Sequence, residues 1–154
     1  MLFLNRVCAA LTAKGIRYAI VGGYAVALHG AVRGTVDVDI ALEWNLKSLR
    51  AAEQALTGLG LVSRLPVSVT DVFDFRDEYV RNRNLIGWNF YNPDNLTEQV
   101  DIVITYDLTG KKVGIVDTDA GPVTILGLTE LIAMKRISGR PQDLEDVQAL
   151  EKLQ

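Results

Sequence analysis

Apolar and polar positions alternate or recur along this chain in blocks whose period changes several times. Leu4, Val7, Cys8 and Leu11 recur at helical spacing, so a helix is expected over Leu2 to Ala13, ended by Lys14 and Gly15. Tyr18 to Val21 is a short apolar run with the character of a buried strand. Gly22 to His29 has helical composition. Val36 to Leu42 alternates at period 2, with Val36, Val38 and Ile40 on one face and Asp37 and Asp39 on the other. Leu46 to Leu59 carries a helical stripe and Gly60 closes it; Leu61 to Leu65 reads as a short strand stopped by Pro66. Thr70 to Val80 fits either a helix or a loop. Leu85 to Tyr91 is an aromatic strand, followed by a turn at Asn92-Pro93-Asp94-Asn95. Glu98 to Tyr106 alternates again, with Val100, Ile102 and Ile104 on one face and Gln99, Asp101, Val103 and Thr105 on the other. Val113 to Val116 and Pro122 to Leu126 suggest a hairpin around Asp119-Ala120-Gly121. Leu128 to Ile137 reads as a helix with Thr129 as N-cap, and Pro141 opens a last helix.

Composition narrows the picture without redirecting it. The 154 residues, 49% of them apolar, suit one folded domain spanning 1–154. A net charge of −3 gives no general field for polyanions. The single cysteine, Cys8, excludes an internal disulfide and a cysteine zinc site, and its apolar neighbours mark it as a small core residue. The opening segment is interrupted by Asn5 and Arg6 and makes a poor signal peptide; no apolar run reaches membrane-span length. No contact with a membrane and a cytoplasmic location are the expectations.

Chemistry concentrates between Val21 and Ala41. Two aspartates at i and i+2 on one strand face have Cα atoms roughly 6–7 Å apart, and their carboxylates can converge on one or two cations. Asp is disfavoured in strands, so a pair there asks for a reason beyond solvation. Gly22-Gly23 between a strand and a helix leaves backbone N–H groups facing whatever sits above the turn, which suits phosphate. A phosphate cradle beside paired carboxylates is what Mg²⁺-nucleotide chemistry needs. The plainer alternative is a tight turn followed by an edge strand with ordinary surface aspartates.

The run Gly22-Gly23, helix, Arg33-x-Thr35-x-Asp37-x-Asp39 resembles the signature of the nucleotidyltransferase superfamily typified by DNA polymerase β. Within it, the resemblance is to small bacterial nucleotidyltransferase-like proteins, including AbiEii-type toxins. It implies an α+β nucleotidyltransferase fold: a mixed β-sheet with helices packed on one side and a C-terminal helical pair. It also implies Asp37, Asp39 and Asp101 as catalytic metal ligands for two Mg²⁺ ions, with Mn²⁺ as a substitute. Asp37 and Asp39 would bridge both ions and Asp101 would bind the one activating the acceptor. Gly22, Gly23, Arg33 and Thr35 would contact the nucleotide or order the metal loop. The stretch LIAMKRISGRPQDLEDVQAL resembles the family's C-terminal helical motif, which implies Lys135 at phosphate with Arg140 and Asp143 supporting it. Arg136 reads as solvated, His29 as structural, and Trp88, Phe90 and Tyr91 as core rather than a base-stacking platform.

Three readings compete. The first is an Mg²⁺-dependent nucleotidyltransferase moving a nucleoside monophosphate from an NTP to a hydroxyl of an RNA end such as tRNA, a protein, or a small molecule such as an antibiotic. The second is an inactive nucleotide- or partner-binding module of this fold, for instance half of a toxin-antitoxin pair. The third is an interaction protein whose acidic strand is only surface. The small size leaves room for a homodimer or partner chain to complete the acceptor site. Residues 43–97 carry no motif that assigns a role, and acceptor specificity is expected there.

Overall fold

The computed structural model describes residues 2–31, 34, 37–83 and 86–154. Arg33, Thr35 and Val36 of the expected motif lie outside the described residues, as do the first residue and residues 32, 84 and 85. Helix α1 (Phe3–Ala13) leads into β1 (Tyr18–Val21), α2 (Gly22–Leu28), β2 (Val38–Leu42) and α3 (Leu46–Gly58). Next come β3 (Val62–Ser63), α4 (Val69–Asp74), α5 (Arg76–Arg83), β4 (Gly87–Asn92) and β5 (Asn95–Val103). A hairpin of β6 (Val113–Thr118) and β7 (Gly121–Leu126) precedes α6 (Leu128–Ser138) and α7 (Pro141–Glu151).

Several boundaries have visible causes. Asn45 caps α3 by accepting from the Ser48 N–H at 2.8 Å. The ambiguous stretch after Pro66 is two short helices. The Ser68 side chain accepts from the Asp71 N–H, and Asp71 reaches back to the Ser68 N–H, which starts α4. The sequence expectation of Thr129 as N-cap of α6 is corrected: Gly127 holds that position. A Cβ at Gly127 would lie 3.1 Å from the Lys112 carbonyl, so close packing against the preceding loop chooses the residue. Asp37 sits in a bend just before β2, which begins at Val38 rather than Val36.

Among the described residues, seven strands form one mixed sheet in the order β3-β4-β5-β2-β1-β7-β6. Strand β2 runs antiparallel to β1 and parallel to β5; β1 is parallel to β7. The register pairs Ile20 with Ile40, Ile40 with Ile102, and Ile102 with Trp88; Val38 pairs with Val100 and Val100 with Phe90. These positions share one face, and all are fully buried. Helix α1 packs on β7 and on α3, and their Val7, Leu11, Leu49 and Leu56 join that face in one core. Trp88 is satisfied there, its indole N–H donating to Ser63 Oγ at 2.8 Å. Each isoleucine or leucine withdrawn from water in this core contributes about 1.5–3 kcal/mol.

Candidate active site

The opposite face of the same central strands is different. Val21 pairs with Asp39, Asp39 with Asp101, and Asp101 with Asn89, so four strands place one row of residues side by side. Period-2 alternation makes this row inevitable once the apolar row is buried. Asp39 and Asp101 sit directly opposite each other on parallel neighbours. Gly22 follows at the end of β1 with φ +69°, a backbone that side chains rarely adopt. A Cβ there would stand 2.0 Å from Asp39 Oδ2, so the carboxylate occupies the space that only glycine leaves.

Val21, Gly22, Asp39 and Asp101 line a cleft of about 980 Å³. Gly22, Gly23, Asp37, Asp39 and Asp101 share its lining with Ile86, Val103, Tyr106, Leu131 and Met134. Lys135, Ser138, Arg140 and Asp143 close it from the helical pair. The structure thus brings Asp37, Asp39, Asp101, Gly22, Gly23, Lys135 and Arg140 around one space.

Electrostatics mark the carboxylates as a repelling group. Burial, the charges of Asp101 and Asp37, and a hydrogen bond with Asp101 push the Asp39 carboxyl up to about 7, against the pull of Lys135. Burial first and the Asp101 charge second raise Asp37 above the ordinary carboxylate range. Among the described residues, no three His, Cys, Asp or Glu side chains are gathered into a ready cage for a metal ion. Mg²⁺ is commonly held by one or two carboxylates plus substrate phosphates, and the facing Asp39–Asp101 pair offers that hard oxygen set. The residues therefore fit the ion without forming a closed site around it.

Lys135 lines the cleft and is also paired with carboxylates of α7. Its ammonium is buried and lies 2.9 Å from Asp146 Oδ2 and 3.6 Å from Asp143 Oδ1. A buried cation needs counter-charges, and α7 supplies them. Asp143 Oδ2 in turn accepts from Ser138 Oγ at 2.7 Å, from Arg140 Nε at 2.9 Å and from the Arg140 N–H at 3.2 Å. Burial opposes the Asp143 charge, but the bonds from Arg140 and Ser138 and the charges of Arg140 and Lys135 outweigh it and hold the carboxyl below its usual range. Arg140 keeps most of its side chain exposed at the cleft edge.

Other candidates fall into structural places. His29 Nε2 bonds the Leu126 carbonyl oxygen at 2.7 Å and ties α2 to β7. Arg136 pairs with Glu151 on the surface. Trp88 and Phe90 are core, while Tyr91 lies under the Arg64 guanidinium, 4.4 Å from its ring centre. Sequence reasoning missed Asn89, whose Nδ2 donates to Asp101 Oδ1 at 2.8 Å. Its only signal was a polar residue alternating with Trp88 and Phe90. Extending the pairing Asn92↔Asn95 without a break would set Asn89 opposite Glu98; an irregularity between Tyr91 and Asn92 shifts it to Asp101.

With this geometry in view, solved structures give the comparison. The fold is that of nucleotidyltransferase-like proteins. An antigenic nucleotidyltransferase-like protein from Paracoccidioides brasiliensis matches with TM-score 0.60 and 18% identity, over 97% of this chain and 74% of that one. ANT(2″)-Ia in complex with adenylyl-2″-tobramycin matches with TM-score 0.59 and 13% identity, over 96% of this chain and 88% of that one. The lincomycin-bound lincosamide antibiotic adenylyltransferase LnuA matches with TM-score 0.57 and 13% identity, over 93% of this chain and 90% of that one. No family model and no curated protein sequence matches the chain. The likeness is one of fold and does not reach the toxin subgroup.

Proposed function

We propose that this chain is a nucleotidyltransferase that moves a nucleoside monophosphate from an NTP to a hydroxyl acceptor with Mg²⁺ as cofactor. The observation that carries the reading is the in-register Asp39–Asp101 pair beside Gly22, in a cleft also lined by Lys135 and Arg140. Bound Mg²⁺, held by Asp39 and Asp101 with Asp37 beside them, would neutralise phosphate charge and ease loss of the acceptor proton. Gly22 makes room for the Asp39 carboxylate, and the backbone of the Gly22-Gly23 turn would face the triphosphate. Arg140, half in solvent at the cleft edge, is the cation best exposed to meet phosphate; Lys135 supports it by holding Asp143 and Asp146. The acceptor oxygen bonds to the α-phosphorus, the bond from that phosphorus to its bridging oxygen breaks, and pyrophosphate leaves. The hydroxyl proton passes to Asp101, the carboxylate beside Gly87. The fold neighbours named for tobramycin and lincomycin make small-molecule hydroxyls the first acceptors to try, with tRNA and protein hydroxyls next.

The test is incubation with each α-labelled NTP, Mg²⁺ or Mn²⁺, and panels of aminoglycosides, lincosamides and total RNA. Label transferred to an acceptor with pyrophosphate release, abolished in Asp39→Asn, is the expected result. NTP binding without transfer to any acceptor would favour a silent binding module. No binding of any NTP would overturn the reading.

A further inference from the structure

Asp101 is held from the side away from Asp39 by a chain of polar contacts that reaches the sheet edge. Asn89 Nδ2 donates to Asp101 Oδ1 at 2.8 Å and lies 3.3 Å from Gln99 Oε1. Asn89 Oδ1 accepts from Arg64 Nε at 2.8 Å, and the Arg64 N–H donates to the Asn89 carbonyl at 2.9 Å. The Arg64 guanidinium rests on the Tyr91 ring, 4.4 Å from its centre, which fixes an otherwise exposed side chain. Chemistry alone sets the amide orientation. Arginine only donates, so Asn89 must turn its oxygen to Arg64; its nitrogen then faces Asp101, which can only accept from it.

The geometry points to Asn89, oriented by Arg64, as a positioning residue that fixes one oxygen of Asp101 and leaves the other for the metal ion. The inference rests on the nucleotidyltransferase reading of the site. A neutral donor suits this task. A cation bonded directly to Asp101 would compete with the metal for its charge, whereas the Asn89 amide relays the Arg64 contact without placing that charge on the carboxylate. Partners that orient ligating carboxylates typically matter 10–100-fold in metal affinity when removed.

The experiment measures Mn²⁺ affinity of the full chain, without nucleotide, by electron paramagnetic resonance of free ion. Proteins compared are wild type, Asn89→Leu, Arg64→Ala, Asp101→Asn and the Asn89→Leu/Asp101→Asn double variant. Asn89→Leu should weaken Mn²⁺ binding about tenfold. Arg64→Ala, which leaves the core untouched, should weaken it in the same direction by less. In the Asp101→Asn background, Asn89→Leu should change nothing further, because the two act through one interaction. A purely structural Asn89 would lower stability equally in both backgrounds and leave the Mn²⁺ affinity per folded molecule unchanged, which would overturn the positioning role alone. A wild type that binds no Mn²⁺ would overturn the metal reading of the site together with this one.

Discussion

Asp39 shows how one residue registers the whole site. Its carboxyl is pushed up to about 7 from 3.8 by burial and by Asp101 and Asp37. In metal-free protein the native state therefore keeps a proton that the unfolded chain releases near pH 4. Because the folded value is the higher one, Asp39's contribution is most favourable below about pH 4 and is lost as pH rises through about 7. Asp39→Asn removes the charge and the titration together. In EDTA at pH 8 the variant should melt above wild type, and the difference should shrink to near zero at pH 4. One kcal/mol corresponds to roughly 2–4 °C for a chain of this length. Paired melts across pH 4–8 check it; a difference that does not depend on pH would place Asp39 outside the repelling group.

At the scale of elements, the corner between α6 and α7 decides the far wall of the cleft. Gly139 ends α6 at φ +66° and Pro141 starts α7 two residues on. That tight corner lets Lys135 from α6 meet Asp143 and Asp146 from α7, all three nearly buried. Removing one partner of such a group leaves buried charge uncompensated, at a cost of about 3–5 kcal/mol. Lys135→Met should lower the melting temperature accordingly. Arg136→Ala, one residue along, breaks only the exposed Arg136–Glu151 pair and should cost at most about 1 kcal/mol. Thermal melts of both variants compare the two. Equal effects would mean that the Lys135 pairs contribute no more than a surface contact.

For the molecule as a whole, the sheet is what brings the carboxylates together. Strand β5 enters parallel beside β2 only after α3, two short helices and β4 have intervened. A ligand that bridges β2 and β5 in the native state alone raises global stability by mass action. Mg²⁺ at a hundred times its dissociation constant should add about 2.7 kcal/mol to wild type, and NTP with Mg²⁺ more. Asp101→Asn should lose most of that gain although it lies on a different strand from Asp39. Denaturant unfolding with and without Mg²⁺ measures it; an Asp101→Asn protein that gains as much as wild type would remove Asp101 from the site.

The alternation at Val38-Asp39-Ile40 and at Val100-Asp101-Ile102 was enough, by itself, to say that these aspartates leave the core face. Helices α1, α3 and α7 and the β6–β7 hairpin were equally legible, because periodicity, caps and turn residues act over a few neighbouring positions. The Gly-Gly turn and the two acidic strands pointed to the fold through resemblance. Tertiary structure alone decided the rest. Which strand lies beside β2 depends on burying whole faces, and no local pattern states it. The irregularity between Tyr91 and Asn92 that turns Asn89 onto Asp101 arises from pairing two strands, not from either one. The resemblance implied Lys135 at phosphate, and no local pattern named its carboxylate partners. Asp143 and Asp146 lie on the next helix and meet it only when the corner folds. Local order was written in the chain; charge environment is a property of distant residues made near, and so it waited for the fold.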